Sequence, residues 1–411
     1  MSDLAEVRRH WRALLAAALG MGAGLSVNIY ITGIFSPHLV AEFGWTKSQF
    51  AMVGTLSMLV LISVPIFGRL TDRFGVRRVA AVGAVSMPLS FVGLSLFDGS
   101  FGEYCALIAV QTLLGTATTA TVYSRLVAER FTGARGLALA IVTCGPAAVG
   151  AVGGPLLNGF VDQHGWRAGY QVLAAFSAVA SALALALIPS RAGDRAGAVS
   201  TRRPAVQDYG AILRSPAFWI LVGGMFLCNL PQSLQGLQLK MMLSENGIDS
   251  AGAAMMMSAY ATGVIVGRFL CGLCLDRYPA EIVAALTMGL PGLGLFVIAS
   301  TWDAPLAIGA AVLLVGLSQG GESDVVGYLV VRHFPVQIYS SVFGLVAALI
   351  GVSSGVGAGL LSASFRFSDR YAPYVFLTGI AVIAGGAMLL LLGRLRSERA
   401  SVAEGVSTAP G

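Results

Sequence analysis

The chain has 411 residues, 56% hydrophobic and 11% charged, with a net charge of +6 and a mean hydropathy of +0.78. A soluble domain is about 25% charged, so this chain cannot cover a water-facing surface of its own size. A soluble enzyme, a nucleic-acid binder and a disordered scaffold are excluded. The 52 glycines suit helices that pack backbone to backbone in a bilayer.

A spanning helix needs about 20 apolar residues. Such runs predict twelve spans, at 12–36, 48–68, 77–97, 103–125, 136–160, 167–188, 215–239, 251–275, 280–300, 304–330, 337–362 and 371–393. The first run is too long for a cleavable signal and lacks a cleavage site. The fold class is therefore an all-α membrane protein. Its segments are an N-terminus (1–11), a six-helix bundle (12–188), a central loop (189–214), a second six-helix bundle (215–393) and a tail (394–411) that reads as disordered.

Of 26 Lys and Arg, 21 fall on the side of the termini and five (Lys47, Arg167, Lys240, Arg366, Arg370) on the other. The positive-inside rule then predicts a multi-pass protein of a bacterial-type inner membrane, both termini cytoplasmic. It also accounts for the charge without any nucleic acid. Trp11, Trp45, Trp166, Trp219 and Trp302 all fall at predicted span ends, where amphipathic rings prefer to sit. Cys105, Cys144, Cys228, Cys271 and Cys274 lie in or beside apolar runs with no histidine near the Cys271/Cys274 pair. They read as small hydrophobes, so no metal and no cofactor is implied. Without a catalytic cluster the chain does not read as an enzyme.

The arginine-rich stretch 189–214 divides six spans from six, and the halves share features at one offset. Glu42, Phe43, Gly44 and Trp45 match Glu245, Asn246, Gly247 and Ile248; Gly68, Asp72 and Arg73 match Gly272, Asp276 and Arg277; Arg130 and Phe131 match His333 and Phe334. Duplicated halves around a central site are a transporter architecture.

Between the second and third spans the chain reads GRLTDRFGVRR, residues 68–78. This resembles the G-x-L-a-D-R-x-G-R-R/K loop of the major facilitator superfamily, and the 6+6 layout extends the resemblance over the whole chain. It implies the fold of that family: twelve transmembrane helices in two pseudo-symmetric bundles. Gly68 lets helix ends approach, Gly75 permits the turn, and Asp72 can accept from a neighbouring helix N-terminus. By resemblance Gly68, Asp72 and Arg73 gate the protein, with Glu129 as a partner for Arg73. Asp276 and Arg277 repeat the pattern in the second half. The family's fourth-span arginine is replaced by Gln111, so its proton-coupling role does not carry over.

Ionisable residues inside spans are functional candidates, since each costs about 2.5–3.5 kcal/mol at the bilayer centre on insertion scales. Arg268 lies eight residues before Asp276, and Glu322 and Asp324 lie ten and eight before Arg332, about 12–15 Å inside. An arginine can hold a carboxylate through two parallel bonds at any working pH. VGRFLCGLCLDR (266–277), RGLALAIVTCG (135–145), FSPH (35–38) and FGWTKSQFA (43–51) resemble segments of the monocarboxylate transporter and oxalate:formate antiporter branch. The resemblance implies that Arg268 binds the substrate carboxylate and sets His38 where the branch has a lysine. A structural ion pair of Arg268 with Glu322 or Asp324 is the competing reading. Glu322 and Asp324 sit about 200° apart on their helix; Glu322, on the face of Ser318 and Gln319, is favoured for the cavity.

Asn28 and Tyr30, with Asn229, Gln232 and Gln235, are hydrogen-bonders where apolar residues would be cheaper, serving either substrate or helix packing. The reading is a proton-coupled importer of a small organic acid anion, a monocarboxylate, working in lipid with no oligomer required. Substrate binding falls to Arg268, Asn28, Tyr30, Asn229 and Gln232, and proton coupling to Glu322, Asp324 and His38. The alternatives are a proton-driven exporter of lipophilic or cationic compounds, an organic anion exchanger, and a ligand-binding sensor.

Overall fold

The computed structural model describes residues 3–45, 53, 56–188, 205–234, 250–300, 304–365, 367–368 and 370–407. Lys47, Arg191, Gln235, Lys240, the Glu245–Ile248 match, Trp302 and Arg366 lie outside the described residues.

Seventeen helices are described. They are α1 (Asp3–Gly22), α2 (Asn28–Phe43), α3 (Leu59–Phe74), α4 (Val76–Leu96), α5 (Phe101–Gly115), α6 (Ala120–Arg130), α7 (Arg135–Thr143), α8 (Gly145–His164) and α9 (Trp166–Leu187). There follow α10 (Ala205–Arg214), α11 (Pro216–Asn229), α12 (Ser250–Arg277), α13 (Ala280–Gly289), α14 (Pro291–Ala299), α15 (Pro305–His333), α16 (Tyr339–Ser364) and α17 (Ala372–Ser407). Among the described residues nine helices are long and apolar enough to cross a membrane, and up to ten if the bent pair α10–α11 is one span.

The chain divides into two compact units: Met1–Arg202 with Phe334–Ala348, and Arg203–His333 with Leu349–Gly411. In the first, the joints α3/α4 and α8/α9 are single residues, Gly75 (φ 83°) and Gly165 (φ 84°). Only glycine takes that conformation without strain. Each joint directs a new helix from the end of the last. The first predicted span is not continuous: a 3-10 turn, Leu25–Val27, separates α1 from α2. The fourth is likewise interrupted at Thr116–Thr118. Hydroxyls absorb the freed backbone groups there. Thr118 Oγ1 accepts from Leu25 N at 2.9 Å and Ser177 Oγ donates to Ala23 O at 2.9 Å.

Aromatic rings build a core in this unit. Phe35 stacks on Tyr170 at 3.9 Å, Trp45, Phe97 and Trp166 pack around Phe43, and Tyr104 packs on Trp45 and Phe97. Trp45 and Trp166 are 7% and 4% exposed, whereas Trp11 and Trp219 are half exposed. Trp45 and Trp166 stand at helix ends as expected, but they face inward because several aromatic neighbours converge on them.

The second unit is organised by the crossing of α12 and α15. A Cβ on Gly263, Gly267, Gly316 or Gly320 would overlap the facing backbone, at Leu313 O, Leu317 O, Tyr260 O and Val264 O respectively. Glycines four apart on both helices therefore let the two backbones touch. Two stretches expected to be irregular are helical. α10 lies within the expected central loop, bent 68° from α11, with Trp219 Nε1 donating to Leu213 O at 2.7 Å across the elbow. α17 runs to Ser407, past the expected start of a disordered tail, because 394–404 contains no proline or glycine to stop it.

Candidate functional site

The seventh predicted span ends its regular helix at Asn229 and passes into a 3-10 turn, Leu230–Leu234. Pro231 sits in that turn; with no N–H to give, it removes one helical hydrogen bond and favours a break there. Tyr374 Oη donates to Leu230 O at 2.7 Å and holds the turn. The break leaves Cys228, Asn229, Pro231 and Gln232 at the wall of a pocket inside the second unit. Its other walls are Met288 and Pro291 from α13 and α14, Ser318, Gln319 and Glu322 from α15, and Val382 from α17. The pocket volume is about 30 Å³.

Glu322 is half-buried and accepts from Gln319 Nε2 at 3.2 Å. Asn229 is 5% exposed, and its Nδ2 donates to Met225 O at 2.9 Å. Arg268 reaches the same neighbourhood from α12. Its Nε donates to Gly320 O at 3.2 Å, a contact that the glycine crossing makes possible, and its charge acts on Glu322. Asp324 is fully buried and acts on the Cys271 thiol of α12. The two carboxylates therefore have different surroundings. The structure thus brings Asn229, Gln232 and Glu322 to one pocket, with Arg268 near enough for its charge to act on Glu322; Asp324 is buried on the same helix as Glu322, outside that lining.

The sequence candidates of the first unit make a different set of contacts. Asn28 Nδ2 donates to Gln111 Oε1 at 2.9 Å, and Gln111 Nε2 donates to Ser90 Oγ at 2.9 Å. Asn28 is thus tied into a chain linking α2, α5 and α4. Tyr30 is 46% exposed, with its ring against Gly150 of α8. His38 Nε2 lies 3.4 Å from Asp162 Oδ1, and Asn158 Nδ2 donates to Asp162 Oδ2 at 3.0 Å. Asp162 was not singled out from the sequence.

The loop after α3 meets the start of α16. Asp72, 2% exposed at its side chain, pairs with Arg125 and accepts from Ser340 N at 3.1 Å and Ser341 N at 2.6 Å. A carboxylate at a helix N-terminus matches the dipole and satisfies unpaired N–H groups. Gly68 abuts Ser340 O so closely that a Cβ could not fit. The expected Arg73–Glu129 pairing is replaced: Arg125 Nε donates to Glu129 Oε1 at 2.6 Å, and the Arg73 guanidinium lies 5.2 Å over the Phe74 ring. Arg125 and Glu129 are four apart, one helix turn, which was a signal available in the sequence. Asp276 and Arg277 end α12. Nearby, Glu281 faces Arg332 at 3.2 Å and His333 at 3.6 Å.

A second capping carboxylate was missed entirely. Glu6 accepts from Thr132 N (2.7 Å), Gly133 N (2.9 Å) and Ala134 N (2.7 Å) ahead of α7. Burial opposes ionisation there, but the backbone bonds outweigh it and hold the carboxyl below its ordinary value.

A family model described as Major Facilitator Superfamily matches residues 13–234 and 221–409. Monocarboxylate transporter 11 of Homo sapiens is 25% identical over 361 residues, covering 85% of this chain and 72% of the relative. Monocarboxylate transporter 6 of Mus musculus is 24% identical, covering 97% and 89%. An agnestins efflux protein of Paecilomyces divaricatus is 23% identical, covering 89% and 82%. Among solved structures, the fucose:proton symporter of E. coli superposes with a TM-score of 0.68 at 12% identity, covering 94% and 98%. The human organic anion transporter MFSD10 gives 0.70 at 13%, covering 93% and 99%. At these identities the superpositions speak for the fold.

Proposed function

The chain belongs to the major facilitator superfamily, and on that premise we propose that it takes up a small organic acid anion, a monocarboxylate, together with protons. The observation that carries this reading is the neighbourhood of Arg268 and Glu322, a fixed cation and a carboxylate on adjoining helices inside the apolar second unit. Arg268 would hold the substrate carboxylate bidentately. Asn229 and Gln232 would orient the remainder; in the first unit, Asn28 and Tyr30 are the proposed substrate-binding residues. Glu322 would carry the coupling proton, Asp324 serving as a buried second carboxylate and His38 as a solvated relay beside Asp162. The Asp72 cap on α16, with Gly68, Arg73, Asp276 and Arg277, would hold one state of the alternating-access cycle. The protein would act as a monomer in an inner membrane with both termini cytoplasmic, and the monocarboxylate transporter relatives support the substrate class.

A second reading is favoured by the efflux relative: export of lipophilic or cationic compounds, with Glu322 and Asp324 as counter-charges. A competition assay separates the two. Substrate-induced thermal stabilisation of the purified protein by carboxylates, absent for organic cations and lost in Arg268→Ala, supports the importer. Stabilisation by cations alone, retained in Arg268→Ala, supports the exporter.

A further inference from the structure

The pocket beside Glu322 has room for a small ion. Its space of about 30 Å³ holds about two water-sized spheres. Its polar groups are oxygen-rich, and Asn229 is an amide 5% exposed whose carbonyl oxygen makes no hydrogen bond among the described residues, only its Nδ2 being used. Glu322, Gln232 and Ser318 also line it and bear further oxygens. α11 stops at this point, and the C-terminal end of a helix carries partial negative charge. Broken helices in membrane transporters place such ends and unwound carbonyls around small cations.

We propose that this pocket binds a bare monovalent cation of Na+ size, which competes with the proton for Glu322. Cation binding itself needs no substrate; its consequence for transport rests on the organic-anion reading above. The groups that bear on Glu322 are Cys228 from α11, Tyr260 and Arg268 from α12 and Gln319 from α15. The lining from α13, α14 and α17 is uncharged. Ionised Glu322 and Arg268 together have no net charge and little call for an anion. A cation on Glu322 offsets the negative charge that Glu322 presents to Arg268, and so favours a carboxylate at Arg268. Each ligand therefore raises the affinity for the other by the same factor.

The test is the thermal stability of the detergent-purified full chain in NaCl, KCl and choline chloride at constant ionic strength. Measurements at about pH 8 and about pH 6 compare the cation against a roughly hundredfold change in the competing proton. NaCl is expected to raise the melting temperature saturably near pH 8. Apparent affinity should fall about tenfold per pH unit once the carboxyl is protonated. Glu322→Gln should abolish the shift; if that variant does not fold, Gln232→Leu should weaken it at least about tenfold. A shift shared equally by choline, no saturable shift at either pH, or one that survives Glu322→Gln overturns the site. A Na+ shift without carboxylate uptake would leave the site and remove the transport reading. Uptake without the shift would do the reverse.

Discussion

Arg125 and Asp72 form a buried ion pair, 5% and 2% exposed at their side chains, and Asp72 uses its remaining capacity on Ser340 N and Ser341 N of α16. One carboxylate therefore joins three separate stretches of the first unit. Removing one member of such a pair strands the other, at a cost of about 3–5 kcal/mol, whereas replacing both is far milder. Asp72→Ala should lower the melting temperature more than the double variant Asp72→Ala/Arg125→Met. Thermal unfolding of the two proteins checks this. A double variant less stable than the single would contradict the pairing.

The glycine crossing predicts a contrast along one helix. Gly320→Ala places a Cβ in Val264 O and should cost about 1–3 kcal/mol by overpacking. Gly309→Ala, where nothing lies within 4 Å, should be neutral or stabilising by up to about 1 kcal/mol. Because Gly320 O is the seat of the Arg268 Nε, Gly320→Ala should also weaken carboxylate binding. Melting curves with and without substrate read both effects.

Much of this architecture was legible in the sequence because lipid simplifies the code. Apolar runs of spanning length and the arginine-rich loop at 68–78 located the helices, and Asp72 declared itself as a charge with no reason to be at a helix end except a partner. What stayed hidden depended on three-dimensional neighbours. Glycines 263/267 and 316/320 were visible as spacings, but only the crossing assigns them to each other. Ser340 and Ser341 contribute backbone N–H groups, which no side-chain pattern advertises. Glu6 is 126 residues from the Thr132 it caps. The breaks at Leu25–Val27 and Leu230–Leu234 fall inside runs whose hydropathy alone predicts unbroken helix.

Glu6 supplies a pH dependence with a defined sign. Its folded pKa is depressed below 4.5, so its contribution is complete above that value and is lost as pH falls through the folded pKa. Glu6→Ala should lose about 1–3 kcal/mol at neutral pH. The difference from the parent should shrink only at pH below 4.5. Melting temperatures of the two proteins across pH test it; a difference that vanishes between neutrality and that value would contradict the cap.

Glu322 and His38 should separate functionally. Glu322→Gln should remove accumulation driven by a pH gradient while sparing exchange of internal for external substrate, since a neutral amide mimics the protonated carboxyl. His38, paired with the half-exposed Asp162, serves only as a solvated relay, so His38→Gln should slow pH-driven accumulation by about tenfold or less without abolishing it. Parallel uptake and exchange assays distinguish the two variants.

The most direct test is uptake of labelled monocarboxylates by proteoliposomes with an acidic exterior, comparing the parent, Arg268→Lys and Arg268→Ala. Accumulation that collapses with the pH gradient is expected from the parent. Arg268→Ala should reduce it about 100-fold or more, the effect of truncating a buried charge partner, and Arg268→Lys, which lacks the planar fork, should fall between. Uptake by Arg268→Ala at the parent's rate would contradict the account.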